Sequence, residues 1–293
     1  MTTEKYFRKI KHLTLIALFS DNDLLDILVL KGGTALEFYD LDYRLSLDLD
    51  FSIEKEFEHD LTVINKKIEK ALKNTFREEG YEVFDVRVLE KPKKISPEMA
   101  DFWGGYSIEF KIIEAKKYEQ LSSNIGSLRR DATIVGDTNK KTIVIDVSKY
   151  EYCKHKQETE LEGYTIYIYS STMIVLEKIR AICQQMPEYR TIVLSSSQSA
   201  RARDFYDIYL LIERYDIIPA TTENLDLLKK IFIAKRVPLS LISKIGSTRE
   251  FHREDFTAVK ATVGDSDTLK DFDFYFEYVV NYCQRILDAL GIE

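Results

Sequence analysis

Two adjoining patterns in residues 28–51 leave few folds open to this chain. The short apolar run Leu28-Val29-Leu30 predicts a strand, and it stops at Lys31-Gly32-Gly33-Thr34. Glycines let the backbone approach a bulky anion closely. A helix starting at Thr34 would direct its free N–H groups and positive dipole end at that anion. The first pattern therefore predicts a phosphate-binding turn between a strand and a helix.

The second pattern is a strict alternation of polar and apolar side chains over residues 44–51. On a strand, this spacing puts Arg44, Ser46, Asp48 and Asp50 on one face. Two carboxylates so close repel each other, which raises a pKa or requires a cation. Hard oxygen ligands beside a phosphate-binding turn suit Mg²⁺. A plain βαβ turn with a solvated edge strand is the alternative, but paired aspartates after strict alternation are a poor surface design.

Together the two patterns resemble a known family. A glycine turn, a short helix and a strand bearing Asp-x-Asp resemble the DNA polymerase β-like nucleotidyltransferases. The finer pattern, Lys-Gly-Gly-Thr-Ala-Leu at 31–36 followed by Arg-x-Ser-x-Asp-x-Asp-Phe at 44–51, looks like the AbiEii/AbiGii branch. That branch contains toxin or phage-defence (abortive infection) nucleotidyltransferases of type IV toxin–antitoxin systems. Either motif alone is weak, but both together are fairly specific.

The resemblance implies both a fold and a reaction. The implied fold is α/β: a polymerase β-like lobe with a mixed sheet over residues 1–168, then a mainly helical lobe over 169–293, with the active site in the cleft between them. The implied enzyme transfers a nucleoside monophosphate from an NTP to an acceptor. Asp48 and Asp50 would hold two Mg²⁺ ions. The nucleotide-binding residues would be Lys31, Gly32, Gly33, Thr34, Arg44, Ser46, Lys178 and Asp204.

A third carboxylate is expected from Asp146. It interrupts the β-branched run Thr142–Ser148, and an aspartate is costly there if it is buried alone. In polymerase β-like folds, the third metal-binding carboxylate comes from a strand next to the Asp-x-Asp strand. Asp146 is the best match to that role. A solvated sheet edge or a structural ion pair is the alternative.

Later motifs of the same family are matched in the helical part. Glu177-Lys178-x-x-Ala181 is followed by Arg201 or Arg203, then Asp204 and Asp207. In the family, the lysine and aspartate of these motifs face the nucleotide pocket. Lys178 flanks the apolar stripe of its predicted helix, so we expect its ammonium to reach the β- or γ-phosphate. Taken singly, each of these residues is more often a solvated helix charge.

Composition limits the class of protein. The net charge of −7 excludes a generally basic nucleic-acid coat, so any RNA contact needs a local patch, such as the lysines at 66, 67, 70 and 73 or at 91, 93 and 94. Three scattered cysteines argue for a reducing compartment and against a disulfide frame or a zinc site. No apolar run is long enough to span a membrane. We therefore expect a cytoplasmic protein.

Hydrophobic periodicity and breakers predict the remaining elements. Residues 91–103 and 246–271 are expected to be loop-rich. Helices are predicted over 4–19, 57–79, 173–185, 201–215, 225–234, 239–245 and 272–290, and strands over 81–89, 106–113, 142–148 and 164–169.

Three functions stay open at this point. The first is transfer to RNA, such as a tRNA 3′ end, which the resemblance suggests. The second is nucleotidylation of a protein hydroxyl by the same fold. The third is a nucleotide-binding module without transfer, against which the intact Asp48, Asp50 and Asp146 argue. The expected partners are an NTP, an RNA acceptor and a cognate antitoxin, and the expected cofactor is Mg²⁺.

Overall fold

The computed structural model describes residues 3–41, 48–135, 139–194, 197–263 and 269–292. They group into two compact units, the first ending at Ile168 and the second beginning at Tyr169, with Leu41 grouped with the second. That these units are separate domains over 1–168 and 169–293 stays a prediction. No helix in the described ranges has the length and apolarity needed to cross a bilayer.

A mixed sheet forms the centre of the first unit. Its spatial order is β3-β4-β5-β2-β1-β7-β6. The pairs β2/β5 and β1/β7 are parallel, whereas β1/β2, β3/β4 and β4/β5 are antiparallel. The seven strands of the described chain are β1 Val29–Lys31, β2 Leu49–Ser52, β3 Tyr81–Lys91, β4 Gly105–Glu114, β5 Ile143–Ser148, β6 Lys156–Leu161 and β7 Tyr164–Tyr169.

Helices accompany this sheet and make up most of the second unit, which confirms the predicted fold class. Those of the first unit are α1 Thr3–Phe19, α2 Asn22–Ile27, α3 Gly32–Ala35, α4 Leu61–Glu78, α5 Ala115–Leu121 and α6 Ile125–Asp131. Those of the second unit are α7 Ser171–Cys183, α8 Ala202–Tyr215, α9 Thr222–Ala234, α10 Arg249–Arg253, α11 Phe256–Val263 and α12 Phe272–Leu290. Short 3₁₀ helices span Leu36–Tyr39, Pro97–Met99, Pro187–Thr191 and Leu239–Thr248.

The local sequence explains where α4 begins. The Asp60 side chain accepts a hydrogen bond from the Thr62 N–H group and so caps the first turn. The helix buries Ile64, Ile68, Ala71, Leu72 and Phe76, and Phe76 meets Phe110 of β4 edge to face. The predicted start at residue 57 was too early because Asp60, not the apolar spacing, sets the first turn.

Two expectations about local structure were wrong. The helix expected to start at Thr34 is α3, a single turn that begins at Gly32 and passes into a 3₁₀ helix ending at Tyr39. So short a helix has little macrodipole to offer an anion. The region 246–271, expected to be loop-rich, contains α10 and α11.

One strand was missed altogether. β6 lies at the edge of the sheet, and among its residues only Leu161 is buried. A mostly solvated edge strand needs no apolar alternation, so hydrophobic periodicity gives no signal for it.

Candidate active site

Asp50 and Asp146 lie side by side on neighbouring strands. β2 and β5 are parallel, and Asp50 pairs in register with Asp146. On the other side of β2, Asp50 pairs with Lys31 of β1. Register partners present their side chains on the same face of a sheet. The structure thus brings together Lys31 of the glycine-turn motif, Asp50 of the Asp-x-Asp motif and Asp146. Asp146 lies on the strand next to the Asp-x-Asp strand, and its role as a third metal-binding carboxylate stays a prediction.

The glycine turn touches this row of charges at Gly32. Gly32 has a φ of +69°, and a Cβ built there would lie 2.7 Å from Oδ2 of Asp50. Residues that carry a side chain rarely adopt this backbone conformation, and the Asp50 carboxylate already fills the space that a methyl group would need. Glycine is therefore required at position 32 for two independent reasons. Its backbone forms one wall against which the Asp50 carboxylate rests.

Asp48 lies at the start of the Asp-x-Asp strand, and its metal-binding role stays a prediction. The strand begins at Leu49, so Asp48 immediately precedes it, and Asp48 is exposed. Its backbone carbonyl accepts a hydrogen bond from the Thr34 hydroxyl at 2.7 Å. Thr34 is fully buried, so its side chain ties the glycine turn to the start of β2. The Thr34 hydroxyl is thereby engaged within the protein. Arg44 and Ser46 lie outside the described residues.

Lys31 has protein partners for its ammonium group. Nζ donates to the Ser148 hydroxyl at 3.1 Å and lies 3.5 Å from Oε1 of Glu151. Lys31 and Glu151 are both buried. This lysine therefore crosses β2 and fastens the end of β1, just before the glycine turn, to β5 and the segment after it. Sequence analysis missed Ser148 and Glu151, although Ser148 shares a strand face with Asp146 through the two-residue spacing.

Asp146 has a cation beside it. Nζ of Lys91, at the end of β3, lies 2.8 Å from Oδ1 of Asp146. Both side chains are largely exposed, so solvent screens their attraction, and another cation can replace Lys91 at the carboxylate. The contact shows that a positive group can reach the Asp146 carboxylate.

The donor set fits a hard divalent cation in its chemistry, although no three-ligand cluster is built in advance. Among the described residues, no group of three His, Cys, Asp or Glu side chains converges as metal ligands. Two carboxylates nonetheless stand on adjacent strands, one of them resting on the glycine turn. Carboxylate oxygens in such a pair are suitable ligands for Mg²⁺, which binds through one or two carboxylates together with substrate phosphates.

Lys178 is buried, which corrects the expectation that it flanks the apolar stripe of its helix. Its Nζ lies 2.7 Å from Oδ1 of Asp204 and 2.9 Å from Oδ2 of Asp207. Both aspartates are buried on α8, so the lysine links α7 to α8 within the second unit. Burial alone would lower the pKa of Lys178, but the two carboxylates reverse this and raise the pKa above its usual value. The expected contact with a phosphate stays a prediction.

A buried histidine extends this network. Arg201 donates a hydrogen bond from Nη1 to Oδ2 of Asp204 at 3.0 Å and from its backbone N–H to Nδ1 of His252 at 3.1 Å. Desolvation of the fully buried His252 lowers its pKa to about 4, with Asp204 opposing the shift. Sequence analysis did not detect His252 because it has no ligand or catalytic spacing to any other residue.

The chain has a distant structural likeness to several solved proteins. A candidate nucleotidyltransferase from Helicobacter pylori is 18% identical, with 99% of this chain and 97% of that one covered and a TM-score of 0.48. JHP933 from Helicobacter pylori is 18% identical, with 99% and 94% covered and a TM-score of 0.47. The nucleotidyltransferase toxin MenT4 from Mycobacterium tuberculosis H37Rv is 13% identical, with 98% and 84% covered and a TM-score of 0.44.

Sequence comparison gives the family. Among curated proteins, none matches this chain significantly. The family model described as the nucleotidyl transferase AbiEii toxin of type IV toxin–antitoxin systems matches residues 14–278, which is most of the sequence. The match includes the glycine turn, Asp48, Asp50, Asp146 and the Lys178 network. The chain therefore belongs to the AbiEii family of nucleotidyltransferase toxins.

Proposed function

We propose that this toxin transfers a nucleoside monophosphate from an NTP to a hydroxyl group of RNA, such as a tRNA 3′ end, and releases pyrophosphate. The observation that carries the proposal is the pairing of Asp50 with Asp146 on adjacent strands, with Asp50 resting on Gly32. A carboxylate pair beside a glycine turn combines a place for cations with a backbone that a triphosphate can approach closely.

Mg²⁺ is the proposed cofactor, with Asp48, Asp50 and Asp146 as its protein ligands. When bound, two such ions would lower the pKa of the attacking hydroxyl and neutralise charge on the leaving pyrophosphate. Gly32, Gly33 and the backbone of Thr34 would cradle the triphosphate.

The protein's own residues would keep the site in shape for this reaction. Lys31, held by Ser148 and Glu151, fixes the end of β1 from which the glycine turn departs. The Thr34 hydroxyl, bonded to the carbonyl of Asp48, fixes the other end of the turn to the start of β2. The end of β1 next to the glycine turn and the start of β2 are thereby held in position before the substrate binds. Contributions of Arg44, Ser46, Lys178 and Asp204 to NTP use are part of the same proposal.

A labelling experiment tests the reaction. Purified protein is incubated with each α-labelled NTP, Mg²⁺ and total bacterial RNA, with and without a chelator. We expect label in RNA that disappears on chelation and returns with Mg²⁺. Asp50→Asn should lower the rate by about 100-fold or more, because loss of even an outer-shell partner of a metal commonly costs 10–100-fold.

The matched control is Glu158→Gln, which makes the same carboxylate-to-amide change on the edge strand β6 and should keep full activity. Full activity of Asp50→Asn would overturn the carboxylate mechanism. Label that enters protein and not RNA would show that a protein hydroxyl is the acceptor. NTP binding without transfer to either would show a binding module.

A further inference from the structure

Helix α4 has two faces of opposite character. One face is apolar and buried through Ile64, Ile68, Leu72 and Phe76. The other carries Lys66, Lys70, Lys73 and Arg77, at spacings of four, three and four residues. This spacing aligns the four cations in one stripe along the helix. At about 1.5 Å per residue, the stripe is roughly 16 Å long.

The stripe is positive in a chain that is acidic overall. α4 has five basic and two acidic residues, for a net charge of +3, whereas the whole chain carries −7. A local excess of this size is not a consequence of composition. It produces a field that attracts polyanions to this face of the first unit.

Two of the four cations have no ion-pair partner in the described parts of the chain, namely Lys66 and Lys70, and both are exposed. Lys73 pairs with Glu69 at 2.6 Å, and Arg77 pairs with Glu82 at 3.0 Å. The four cations, together with Glu69 and Asn74, line a shallow, open depression of about 330 Å³ on the helix surface. The uncompensated charge is therefore concentrated on the two lysines of the N-terminal half of the stripe.

The chemistry of this face favours a nucleic acid over a protein partner. Protein interfaces have an apolar centre that excludes water. Among the large apolar side chains of α4, all of which the structure describes, Val63 alone is exposed. A row of cations without an apolar centre matches a sugar–phosphate backbone, which contributes affinity through counterion release and has no need of hydrophobic contact. Folded RNA is recognised largely by shape and backbone contacts.

We propose that the Lys66–Arg77 stripe of α4 binds the phosphate backbone of the RNA acceptor. This inference rests on the proposed function, since it assigns a contact surface to the acceptor named there. Lys66 and Lys70 contribute most of the attraction because their charges are not compensated by the protein. Lys73 and Arg77 contribute less, since each already faces a carboxylate.

The double variant Lys66→Gln/Lys70→Gln tests the stripe. Glutamine has a helix propensity close to that of lysine, so the fold is preserved, which thermal melting checks. Binding of fluorescently labelled total bacterial tRNA is measured without NTP between 50 and 200 mM salt. The slope of log affinity against log salt should become shallower by about 2, because neither of the two substituted positions neutralises a phosphate any longer. Near 0.1 M salt, affinity should fall roughly tenfold for each lysine.

The matched control is Lys116→Gln/Lys117→Gln, which removes the same charge from exposed positions on α5 of the same unit. It should keep the wild-type slope and affinity. In the transfer assay, the KM for RNA should rise in the α4 variant and the KM for NTP should stay unchanged.

Each other outcome overturns the proposal in a distinguishable way. If the wild type binds and labels tRNA, and the α4 variant binds tRNA with the same salt slope, the stripe is not the contact surface. The proposed function then stands. If the α4 variant and the control lose affinity equally, attraction is set by overall charge and not by the stripe. If the wild type neither binds nor labels tRNA, the proposed acceptor fails together with the surface. Binding of poly-glutamate in place of tRNA would assign the stripe to an acidic polypeptide.

Discussion

Gly32 and Asp50 are in contact, and that contact explains why glycine stands at position 32. The two residues belong to different motifs and are 18 positions apart in the sequence. A substitution at Gly32 should therefore displace the Asp50 carboxylate, although glycine itself has no ionisable side chain.

Gly32→Ala should lower both stability and activity. The positive φ alone costs about 1–2 kcal/mol with a side chain. The added methyl group also meets Oδ2 of Asp50 at 2.7 Å, so the carboxylate has to move. Gly163→Ala is the matched control, because Gly163 has a φ of +88° and open space around the new methyl group. Denaturant melts should show a loss in both variants, and the transfer assay a loss only in Gly32→Ala. Equal activity of the two variants would contradict the contact.

Lys31 and Glu151 form a buried pair whose role a double-mutant cycle can separate. Breaking such a pair leaves an uncompensated buried charge and costs about 3–5 kcal/mol. We expect Lys31→Met and Glu151→Gln each to destabilise the protein, and the double variant to lose less than the sum of the two. Denaturant unfolding measures all three.

Enzyme kinetics distinguish an anchor from a phosphate ligand. If Lys31 acts by holding the turn, the two single variants should alter kcat and the KM for NTP in the same way. If its ammonium instead binds a phosphate, Lys31→Met should raise the KM for NTP while Glu151→Gln leaves it unchanged. The second pattern would return Lys31 to the nucleotide-binding role expected from the sequence.

The pair α7 and α8 shows how a charge network joins two helices. Lys178 of α7 meets Asp204 and Asp207, which lie three positions apart and so share one face of α8. Three buried charges in contact are costly to disrupt singly, since each depends on the others for compensation.

Lys178→Ala should destabilise the second unit by about 3–5 kcal/mol, because it leaves two buried carboxylates without their cation. Thermal or denaturant melting provides the measurement. The control Lys229→Ala removes an exposed lysine from α9 and should change stability by less than about 0.5 kcal/mol. A wild-type melting curve for Lys178→Ala would show that the network contributes nothing to stability.

His252 should make stability depend on pH. Its pKa falls from 6.5 in the unfolded chain to about 4 in the fold, so between these values the unfolded state binds more protons. Its contribution is fully present above pH 6.5 and is lost as pH falls toward 4, by roughly 3 kcal/mol in total. Unfolding free energies measured across this range should fall more steeply for the wild type than for His252→Gln. Parallel profiles would show that His252 does not titrate in this way.

At the scale of the whole molecule, family membership adds a physiological consequence. A nucleotidyltransferase toxin should harm its host through catalysis and not through its mere presence. The carboxylates on β2 and β5 should therefore decide toxicity, whereas surface carboxylates should not.

Expression in a bacterial cytoplasm should arrest growth, and Asp50→Asn should relieve the arrest at equal protein levels. Growth curves and immunoblots measure both quantities. Glu158→Gln should arrest growth like the wild type. Arrest that persists with Asp50→Asn would mean that toxicity comes from binding or aggregation.

The sequence by itself determined the family and the order of the main elements. This was possible because alternation and glycine spacing are local signals that survive in any context. The strands at 81–89, 106–113, 142–148 and 164–169 were predicted within a few residues of their observed bounds for the same reason. β6 and the helices of 249–263 lacked such periodicity and were missed.

Only the tertiary structure decided which charges meet. Lys31 bonds to residues 117 and 120 positions away, and Lys178 to residues 26 and 29 positions away. Periodicity assigned Lys178 to the margin of a buried stripe, yet the facing helix supplies two carboxylates that make its burial favourable. A lysine is buried or solvated according to the partner opposite it, and that partner is set by strand order and helix pairing, which no local pattern encodes.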